Sequence, residues 1–282
     1  MQLGSFTIEI LSEGRFEIFR DGHINRSADG ESKSNHSVPA DHSAVVGINP
    51  ILVKTGPYNI LLDTGLGWGL DAGSSYGDVS NVRTNLEIFE LVPEDITHVI
   101  LSHLHYDHMA GCSYTTSDHK TKPTFPNAQY YVHKREWEHA LSQVDTAQTI
   151  PGANYQLDDF YRLIADGSVE LLEGTSNTIL EGITTLLTGG HTPGHQAVML
   201  NTGGEQAYYL GDLLPSSAHL NHYGMREMDT DPIQAKKRKV QLLRSAFEEK
   251  ACLFFYHSQY SQAGSLEKNK NKQYVLKELN SK

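Results

Sequence analysis

The hydrophobic residues of this chain fall into short segments that are separated by polar turns. At the start, Phe6, Ile8 and Ile10 alternate with polar positions, and this two-residue period indicates a half-buried β-strand. The similar segment RFEIF follows a turn at Glu13-Gly14, so the first 20 residues are predicted to form a β-hairpin. Later segments are also predicted to be strands, namely AVVGINPILVKTG, YNILLDTGLG, ITHVILS, AQYYVH, VELLEG, ITTLLTGG, QAVMLNTGG, EQAYYLGD and ACLFFYHSQ.

Segments with helical spacing of apolar residues separate these strands in both halves of the chain. Residues 82–91 have this spacing after Asn81, which is suited to the N-cap position, and residues 134–143 have it too. Asp231 and Pro232 open a long helix, with Asp231 as the N-cap and Pro232 in the first turn. Strands that alternate with helices in this way are consistent with an α/β fold.

Residues 21–43 form a polar stretch that is long for a loop inside a compact domain. Only about 20 residues precede it, which argues against a linker between domains. We interpret it as a disordered segment or as a functional flap that lies beside the functional site or packs on a partner subunit. A second irregular stretch, 144–167, carries Tyr155, Phe160 and Tyr161, which are predicted to line an apolar trough beside the site or to pack in the core.

The net charge of the chain, 23 − 34 = −11, disfavours nucleic acid as a partner, because binding to phosphates needs clustered Lys and Arg. The basic run Lys236–Lys239 is predicted to be a solvated helix face. No apolar segment approaches the ~20 residues of a membrane span. The N-terminus lacks the pattern of a signal peptide, so we expect a soluble cytoplasmic protein without membrane contact.

Histidine and aspartate residues follow several of the predicted strands. Three of the 15 histidines lie in the segment HLHYDH at 103–108, directly after ITHVILS. Asp63, His191, Asp212 and His257 also stand just after apolar segments. Strand ends are held by a rigid sheet, and the loops there carry functional groups, so these five placements predict a metal site at one edge of the fold.

Seven of these side chains are candidate metal ligands. In an extended segment, residues two apart point the same way, so His103 and His105 are expected to bind one ion together. Asp107 and His108 reach a second ion where the chain turns. A single catalytic ion has about three protein ligands, so seven candidates are too many for one ion. Two ions that share a carboxylate would use all seven. Such ligands suit zinc, with iron, manganese and cobalt as alternatives. The seven candidates are His103, His105, Asp107, His108, His191, Asp212 and His257.

The order of these motifs resembles that of the metallo-β-lactamase superfamily. HLHYDH is similar to its HxHxDH signature, and LLDTG, GGHTPGHQ, LGD and the strand-end His257 match further motifs in order. The resemblance implies a single domain over residues 1–282 with an α/β architecture, the four-layer αβ/βα sandwich. In this sandwich two mixed sheets lie face to face, helices cover them outside, and two divalent metal ions lie at one rim.

The resemblance also implies a role for each ligand. The first ion is expected to have three imidazole ligands, which are His103, His105 and His191. The second ion is expected to have a mixed set, which is Asp107, His108 and His257. Asp212 would bridge the two ions, and Asp63 and His195 match positions that support the ligands from behind.

Within the superfamily, the chain most resembles the quorum-quenching N-acyl homoserine lactonase (YtnP-like) branch, on the stretch GDLLPSSAH and the polar segment near the N-terminus. This resemblance implies that a metal-bridging hydroxide opens N-acyl homoserine lactones or related lactones. The partner would then be a small-molecule lactone or ester, and a homodimer is one option for assembly. The alternatives are an aryl esterase or an organophosphate or phosphodiester hydrolase of the same fold, and a non-catalytic metal-binding protein.

One position departs from the lactonase pattern. Pro215 stands about three residues after the bridging Asp212, where better-known lactonases place a Tyr that contacts the substrate carbonyl. We therefore predict lower activity on acyl homoserine lactones than the resemblance alone implies. Tyr106, His219 and Tyr223 are candidates to replace this Tyr, with packing as the alternative role for each. The predicted catalytic residues are Asp107, Asp212, His219 and Tyr223.

Overall fold

The computed structural model describes residues 1–19, 24–26, 43–76, 79–147, 155–158 and 160–278. The α-helices in these ranges are α1 (Val82–Glu87), α2 (Tyr106–Met109), α3 (Lys134–Ala147), α4 (Phe160–Ala165) and α5 (Pro232–Glu248). The strands of the first half are β1 (Gln2–Leu3), β2 (Phe6–Ile10), β3 (Gly14–Phe19), β4 (Ile24–Arg26), β5 (Ser43–Ile48), β6 (Ile51–Thr55), β7 (Tyr58–Leu62), β8 (His98–Ile100), β9 (Ser113–Thr115), β10 (Thr121–Pro123), β11 (Gln129–His133) and β12 (Val169–Leu172). Those of the second half are β13 (Ser176–Leu180), β14 (Ile183–Leu187), β15 (Gln196–Thr202), β16 (Glu205–Tyr209), β17 (Cys252–Phe254), β18 (Ala263–Lys268) and β19 (Tyr274–Glu278).

The first large sheet has seven strands in the order β1-β2-β6-β7-β8-β11-β12. β7, β8, β11 and β12 are parallel to one another, and the remaining neighbours are antiparallel. β6 and β7 form a tight hairpin that turns at Gly56-Pro57, with Thr55 opposite Tyr58. The sheet is therefore mixed, as expected.

The predicted hairpin within the first 20 residues is wrong. β2 pairs with β6, and β3 pairs with β5 and β4 in a small three-stranded sheet. In the segment between β2 and β3, Leu11 N donates to Pro50 O and Glu13 N donates to Ile48 O. The chain therefore continues along the segment that contains β5 and β6 instead of reversing. The physical reason is that Glu13, which the sequence places in an exposed turn, is buried.

The second large sheet has seven strands in sequence order, from β13 to β19. All neighbours are antiparallel except β16 and β17, which are parallel. The helix α5 lies between these two strands in the chain, and a parallel pair requires such a crossover. β14, β16 and β17 consequently run in the same direction, because β15 is antiparallel to both β14 and β16.

The side chains of the two sheets pack in four layers. Ile60 and Ile100 of the first sheet belong to the same buried cluster as Val198 and Phe254 of the second sheet, so the two sheets face each other. Alternate positions face outward, since successive side chains in a strand point to opposite sides. On the first sheet these outward residues pack with α1, α3 and α4, and on the second sheet they pack with α5. The predicted four-layer αβ/βα arrangement is confirmed.

The predicted helix starts are confirmed at two places. Asn81 caps α1, with its side chain accepting from Thr84 N, and Asp231 caps α5, with its side chain accepting from Gln234 N. The interpretation of the basic run is wrong at one residue. Lys236 is exposed, but Lys239 is buried, because the loop before α5 packs over this position and its carbonyl groups accept from Nζ. No described helix is both long enough and apolar enough to cross a membrane.

Candidate metal centre

Four of the seven predicted ligands meet in a first group. The donor atoms of His103, His105, His191 and Asp212 all lie within 4.8 Å of one another. His105 Nδ1 lies 2.9 Å from His103 Nε2 and 3.1 Å from His191 Nε2. The structure thus brings together the three imidazoles that were assigned to the first ion.

The other three predicted ligands meet in a second group. The donor atoms of Asp107, His108 and His257 also lie within 4.8 Å of one another. His257 Nε2 lies 3.3 Å from His108 Nε2 and 3.4 Å from Asp107 Oδ2. This is the mixed set that was assigned to the second ion.

Asp212 belongs to the first group and also faces the second group, with one oxygen directed to the imidazoles of each. Its Oδ2 is 3.3 Å from His191 Nε2, whereas its Oδ1 is 3.2 Å from His257 Nε2 and 3.4 Å from His108 Nε2. Oδ1 is buried and has no hydrogen-bond partner among the described residues. Burial opposes the charged carboxylate, but the imidazoles of His257, His108 and His191 hold the pKa of Asp212 well below its ordinary value. This geometry fits a carboxylate that is shared by two cations.

The fold places these groups at one edge because the strands that lead to them are parallel. Asp63 follows β7 and HLHYDH follows β8, while Asp212 and His257 follow β16 and β17. His105 has extended backbone angles (φ −64°, ψ 147°) and forms the N-cap of α2, so the chain turns directly after it. The extended part gives its imidazoles to the first group, and the helical part gives Asp107 and His108 to the second.

Close backbone contact at this edge requires a glycine before Asp212. Gly211 has φ +47°, a left-handed conformation that glycine adopts without steric cost. A Cβ at this position would lie 2.8 Å from His195 Nε2 and 2.9 Å from Ser102 Cβ. The glycine of the LGD motif therefore allows the Asp212 loop to pack directly on the loop that follows β8.

The outward-facing ring nitrogens of four of these histidines have hydrogen-bond partners that define the tautomer. His108 Nδ1 lies 2.7 Å from Asp63 Oδ2, and His191 Nδ1 lies 3.0 Å from Asp229 Oδ1. His257 Nδ1 lies 2.9 Å from the carbonyl oxygen of Gly47. Carboxylate and carbonyl oxygens only accept, so each of these Nδ1 atoms carries a hydrogen.

His103 Nδ1 also carries a hydrogen, and its partner is the hydroxyl group of Ser102. The hydroxyl of Ser102 donates to Asp63 Oδ2 at 2.7 Å, and this leaves its oxygen free to accept from His103 Nδ1 at 3.0 Å. In the neutral ring the other nitrogen then has a lone pair. Nε2 lone pairs of His103, His191 and His257 consequently point into the two groups, and ligands supported in this way are typical of metal sites in proteins.

The charge of the site also fits cations. Burial lowers the pKa of His103 and of His105 well below the ordinary value, so both rings are neutral ligands. At His108 burial opposes the charged form, but the carboxylates around it, above all Asp107 and Asp212, outweigh burial and hold its pKa well above the ordinary value. The second group therefore demands positive charge, which a divalent ion between these side chains would supply.

Asp63 and His195 lie behind the ligands, as predicted. Asp63 accepts from Ser102 N, from the Ser102 hydroxyl, from His108 Nδ1 and from the hydroxyl of Tyr209. His195 is buried, with Nδ1 2.7 Å from the hydroxyl of Thr188 and Nε2 accepting from Asp212 N at 3.1 Å. Both residues therefore contact ligand residues without belonging to either group.

Three further charged residues support the site and were not predicted from the sequence. Asp229 contacts His191 Nδ1, and Arg226 donates both to Asp229 and to the carbonyl oxygen of Asp212. Glu136 is fully buried in the first turn of α3 and accepts from Leu104 N at 3.0 Å. The sequence offered one signal for Asp229, namely its position close to the N-cap of α5. It offered none for Glu136, because a lone Glu in the first turn of a helix is more often a solvated charge.

Glu136 joins three loops around the first group. Besides Leu104 N, it accepts from the hydroxyl groups of Thr192 and of Tyr155, the latter at 3.2 Å. The Tyr155 ring lies 5.1 Å from the ring of His105, so this residue of the predicted trough is beside the site. Phe160, in contrast, is fully buried in the core of the outer layer, and Tyr161 is exposed at 42%.

The predicted catalytic residues outside the seven ligands lie on the loop after Asp212. Pro215 is close to the second group, because its carbonyl oxygen accepts from His257 N at 2.8 Å. His219 is in the next turn and contacts the Ser216 hydroxyl through Nδ1. Tyr223 is exposed at 41%, and its ring packs under the Nζ atom of Lys239. The structure thus does not bring Tyr223 into either group.

The predicted flap at 21–43 falls mainly outside the described residues. Only Ile24–Arg26, which is β4, and Ser43 at the start of β5 are described. β4 pairs with β3, and β5 leads through Gly47 to the His257 contact described above. The placement of the flap over or beside the site, or on a partner subunit, therefore stays a prediction.

Comparison with known proteins gives the following matches. The sequence profile described as Metallo-beta-lactamase superfamily matches residues 44–250. N-acyl homoserine lactonase AttM from Agrobacterium fabrum is 27% identical over 184 residues, which cover 57% of this chain and 56% of that protein. An N-acyl homoserine lactonase from Bacillus cereus is 28% identical over 160 residues, which cover 54% of each. The chain thus spans about half the length of the curated relatives that it matches.

Solved structures match over nearly the whole chain. A probable metal-dependent hydrolase from Staphylococcus aureus has a TM-score of 0.74 at 22% identity and covers 100% of both chains. AidC, a dizinc quorum-quenching lactonase in complex with a product, has a TM-score of 0.74 at 23% identity and covers 100% of this chain and 97% of its own. The hydrolase AbOPH of the beta lactamase superfamily has a TM-score of 0.75 at 21% identity, with the same coverage as AidC. These structures share the fold of this chain.

Proposed function

Because the chain belongs to the metallo-β-lactamase superfamily of hydrolases, we propose that it is a binuclear metal-dependent lactonase. The observation that carries this proposal is the position of Asp212, whose two oxygens face two separate groups of buried donor atoms. One group contains three imidazoles, and the other contains one carboxylate and two imidazoles. We assign the first group to one ion, the second group to another ion, and Asp212 to both.

The residues of the chain supply and orient this site. Two bound transition-metal ions would lower the pKa of a water molecule to about 7 and so provide a nucleophile near neutral pH. Asp63, Asp229 and the Gly47 carbonyl hold the Nδ1 hydrogens outward and keep the inner nitrogens available as ligands. The reaction needs no nucleophile from the protein, so no covalent intermediate with the chain is expected.

The substrate class rests on two observations. The curated relatives are N-acyl homoserine lactonases, and their names support a lactone as the substrate. The loop after Asp212 has Pro215 in place of the lactonase tyrosine, which supports lower activity on acyl homoserine lactones than the resemblance alone implies. His219 is the stronger candidate to replace this tyrosine, because it is partly buried on the loop after Asp212, whereas Tyr223 is exposed.

A panel of substrates tests the proposal. The metal-loaded protein is assayed with N-acyl homoserine lactones, γ-lactones, aryl esters, thioesters and phosphotriesters, with chelator-treated protein as the control. We expect lactones to have the highest kcat/KM and the chelated protein to be inactive. A preference for phosphoesters of about tenfold or more, equal to about 1.4 kcal/mol in transition-state binding, would favour the phosphoesterase alternative. Absence of turnover on every class by metal-loaded protein would favour a non-catalytic metal-binding protein.

A further inference from the structure

A separate narrow pocket that is connected to solvent lies between α5 and the loop that follows Asp212. Its charged and titratable lining residues come from both elements, and we refer to it as the basic pocket. These residues are His219, His222, Arg226, Asp229, Lys236 and Lys239. None of the seven predicted metal ligands lines it, so the pocket is distinct from the metal centre.

Positive charge is in excess in the basic pocket. Arg226, Lys236 and Lys239 are cations, and Asp229 is the carboxylate among the lining residues. Asp229 is already engaged, because it accepts from Arg226 through both oxygens and contacts His191 Nδ1 at 3.0 Å. One carboxylate therefore faces three cationic side chains, and two of these cations are largely removed from solvent.

Arg226 has a donor that its neighbours leave unused. Nε and Nη2 bond to Asp229 and to the carbonyl oxygen of Asp212. Nη1 is buried and has no hydrogen-bond partner among the described residues. An unpaired buried donor on a charged group is costly, and Arg226 lines the basic pocket, so an acceptor that reached Nη1 from this pocket would remove that cost.

Lys239 is the second buried cation. It is 8% exposed, and its Nζ donates to the carbonyl oxygens of His219, at 3.1 Å, and of His222. These partners are neutral, so they satisfy hydrogen bonds but not charge. Burial and the nearby Arg226 lower the pKa of Lys239 to about 8, a shift that an anion beside it would reverse.

We propose that the basic pocket binds a small oxyanion, namely a carboxylate or phosphate group of a metabolite. A guanidinium and an ammonium that converge on one pocket are the groups that proteins use for such anions. The burial of Lys239 and the free Nη1 of Arg226 provide two directed contacts, and exposed Lys236 provides attraction at the entrance. The carboxylate of Asp229 repels an anion only weakly, because it is paired with Arg226.

The bound anion would be coupled to the metal centre through two short paths. Arg226 contacts the backbone of Asp212, and Asp229 contacts the ring of His191. The proposed anion binding does not depend on which reaction the metal centre catalyses, so it is tested by affinity rather than by turnover.

The test is isothermal titration calorimetry of the metal-loaded full chain in a buffer free of other oxyanions. Inorganic phosphate and acetate are titrated separately, and their relative affinities show which oxyanion the pocket prefers. Because phosphate also binds metal ions, each titration is repeated with Lys239→Met, which keeps most of the side-chain volume and removes the charge. Lys237→Met is the matched control, since Lys237 lies on the exposed face of the same helix.

We expect Lys239→Met to weaken binding of the preferred anion by about tenfold or more, and Lys237→Met to change it by less than about twofold. If Lys239→Met does not fold, Lys236→Met at the pocket entrance is expected to weaken binding by about threefold. Equal affinities in the wild type and both pocket variants would assign the anion to the metal centre and overturn the proposal. Absence of binding of either anion would overturn it as well.

Discussion

Asp63→Asn is expected to weaken metal binding at the second group of the metal centre and to leave metal binding at the first group unchanged. Asp63 Oδ1 accepts from Ser102 N at 2.7 Å, and Oδ2 accepts from the Ser102 hydroxyl, from His108 Nδ1 and from the Tyr209 hydroxyl. The backbone of Asp63 has φ +57°, which asparagine tolerates well among non-glycine residues. The substitution therefore changes hydrogen bonding and charge while it preserves the shape of the turn.

The amide of the variant has two orientations, and both are unfavourable. If its oxygen accepts from Ser102 N, its NH2 group faces His108 Nδ1, and the ring must move its hydrogen to Nε2, the atom that points into the second group. If the amide is reversed, its NH2 group faces the buried Ser102 N–H, and this costs about 1–3 kcal/mol. Loss of a carboxylate that supports a ligating imidazole typically lowers metal affinity by about 10–100-fold, equal to about 1.4–2.7 kcal/mol.

The assay is equilibrium dialysis against buffered free zinc, followed by elemental analysis. We expect the wild type to bind two ions, and Asp63→Asn to bind one ion as before and the other about 10–100-fold more weakly. Asp118→Asn is the control, because Asp118 is an exposed aspartate in a surface turn. A folded Asp63→Asn variant that binds both ions with wild-type affinity would refute the tautomer argument for His108.

Three other predictions follow from the same contacts. Asp212→Ala should lose several orders of magnitude in kcat/KM and lose the ion of the second group first, measured by kinetics and elemental analysis; near wild-type turnover would show that the bridge is misplaced. Burial raises the pKa of Glu13 to about 8, so the folded state retains a proton that the unfolded state releases, and stability should fall as pH rises from about 4.5 to about 8 by up to about 5 kcal/mol. Glu13→Gln should remove this slope in urea denaturation at several pH values, and an unchanged slope would assign it to other groups. Glu136→Leu should destabilise the protein by about 1–3 kcal/mol, because Leu104 N loses its acceptor, whereas Glu136→Gln retains an acceptor there and should change the unfolding free energy by less than about 1 kcal/mol. Equal thermal shifts for these last two variants would contradict the role of the Glu136 carboxylate.

The sequence was most informative where a local pattern and a strand end coincide. His103 and His105 could be placed on one side of an extended segment, and the helical turn that redirects Asp107 and His108 could be anticipated from the chemistry of the motif. The parallel direction of the strands that carry Asp63, the HLHYDH segment, Asp212 and His257 then brings separate motifs together. The four-layer fold was implied by the resemblance of these motifs to the metallo-β-lactamase superfamily, and the alternation of strands and helices was only consistent with it.

Long-range contacts explain what the sequence could not predict. The alternating segments before and after Glu13 look like a hairpin, but they continue along one partner because Leu11 pairs near Pro50 and Glu13 pairs with Ile48. Lys239 belongs to a basic run with the pattern of a solvated face, and only the loop that packs over it makes it buried. Such contacts depend on residues distant in the chain, so no local period reveals them.

The supporting carboxylates were missed for the same physical reason. Asp229 and Glu136 lie far in sequence from His191 and Leu104, whose positions they determine. Each stands near a helix start, where acidic residues are common without any further role. Their function becomes visible only when the ring nitrogen or backbone N–H that they accept from is known.

Anomalous X-ray scattering from metal-loaded crystals tests the central claim most directly. We predict two peaks about 3.5–4 Å apart on either side of the Asp212 carboxylate. One peak should lie about 2.0–2.2 Å from nitrogen atoms of His103, His105 and His191, and the other at a similar distance from Asp107, His108 and His257. A single peak, or peaks at other residues, in crystals fully supplemented with metal would contradict the binuclear site and the function proposed from it.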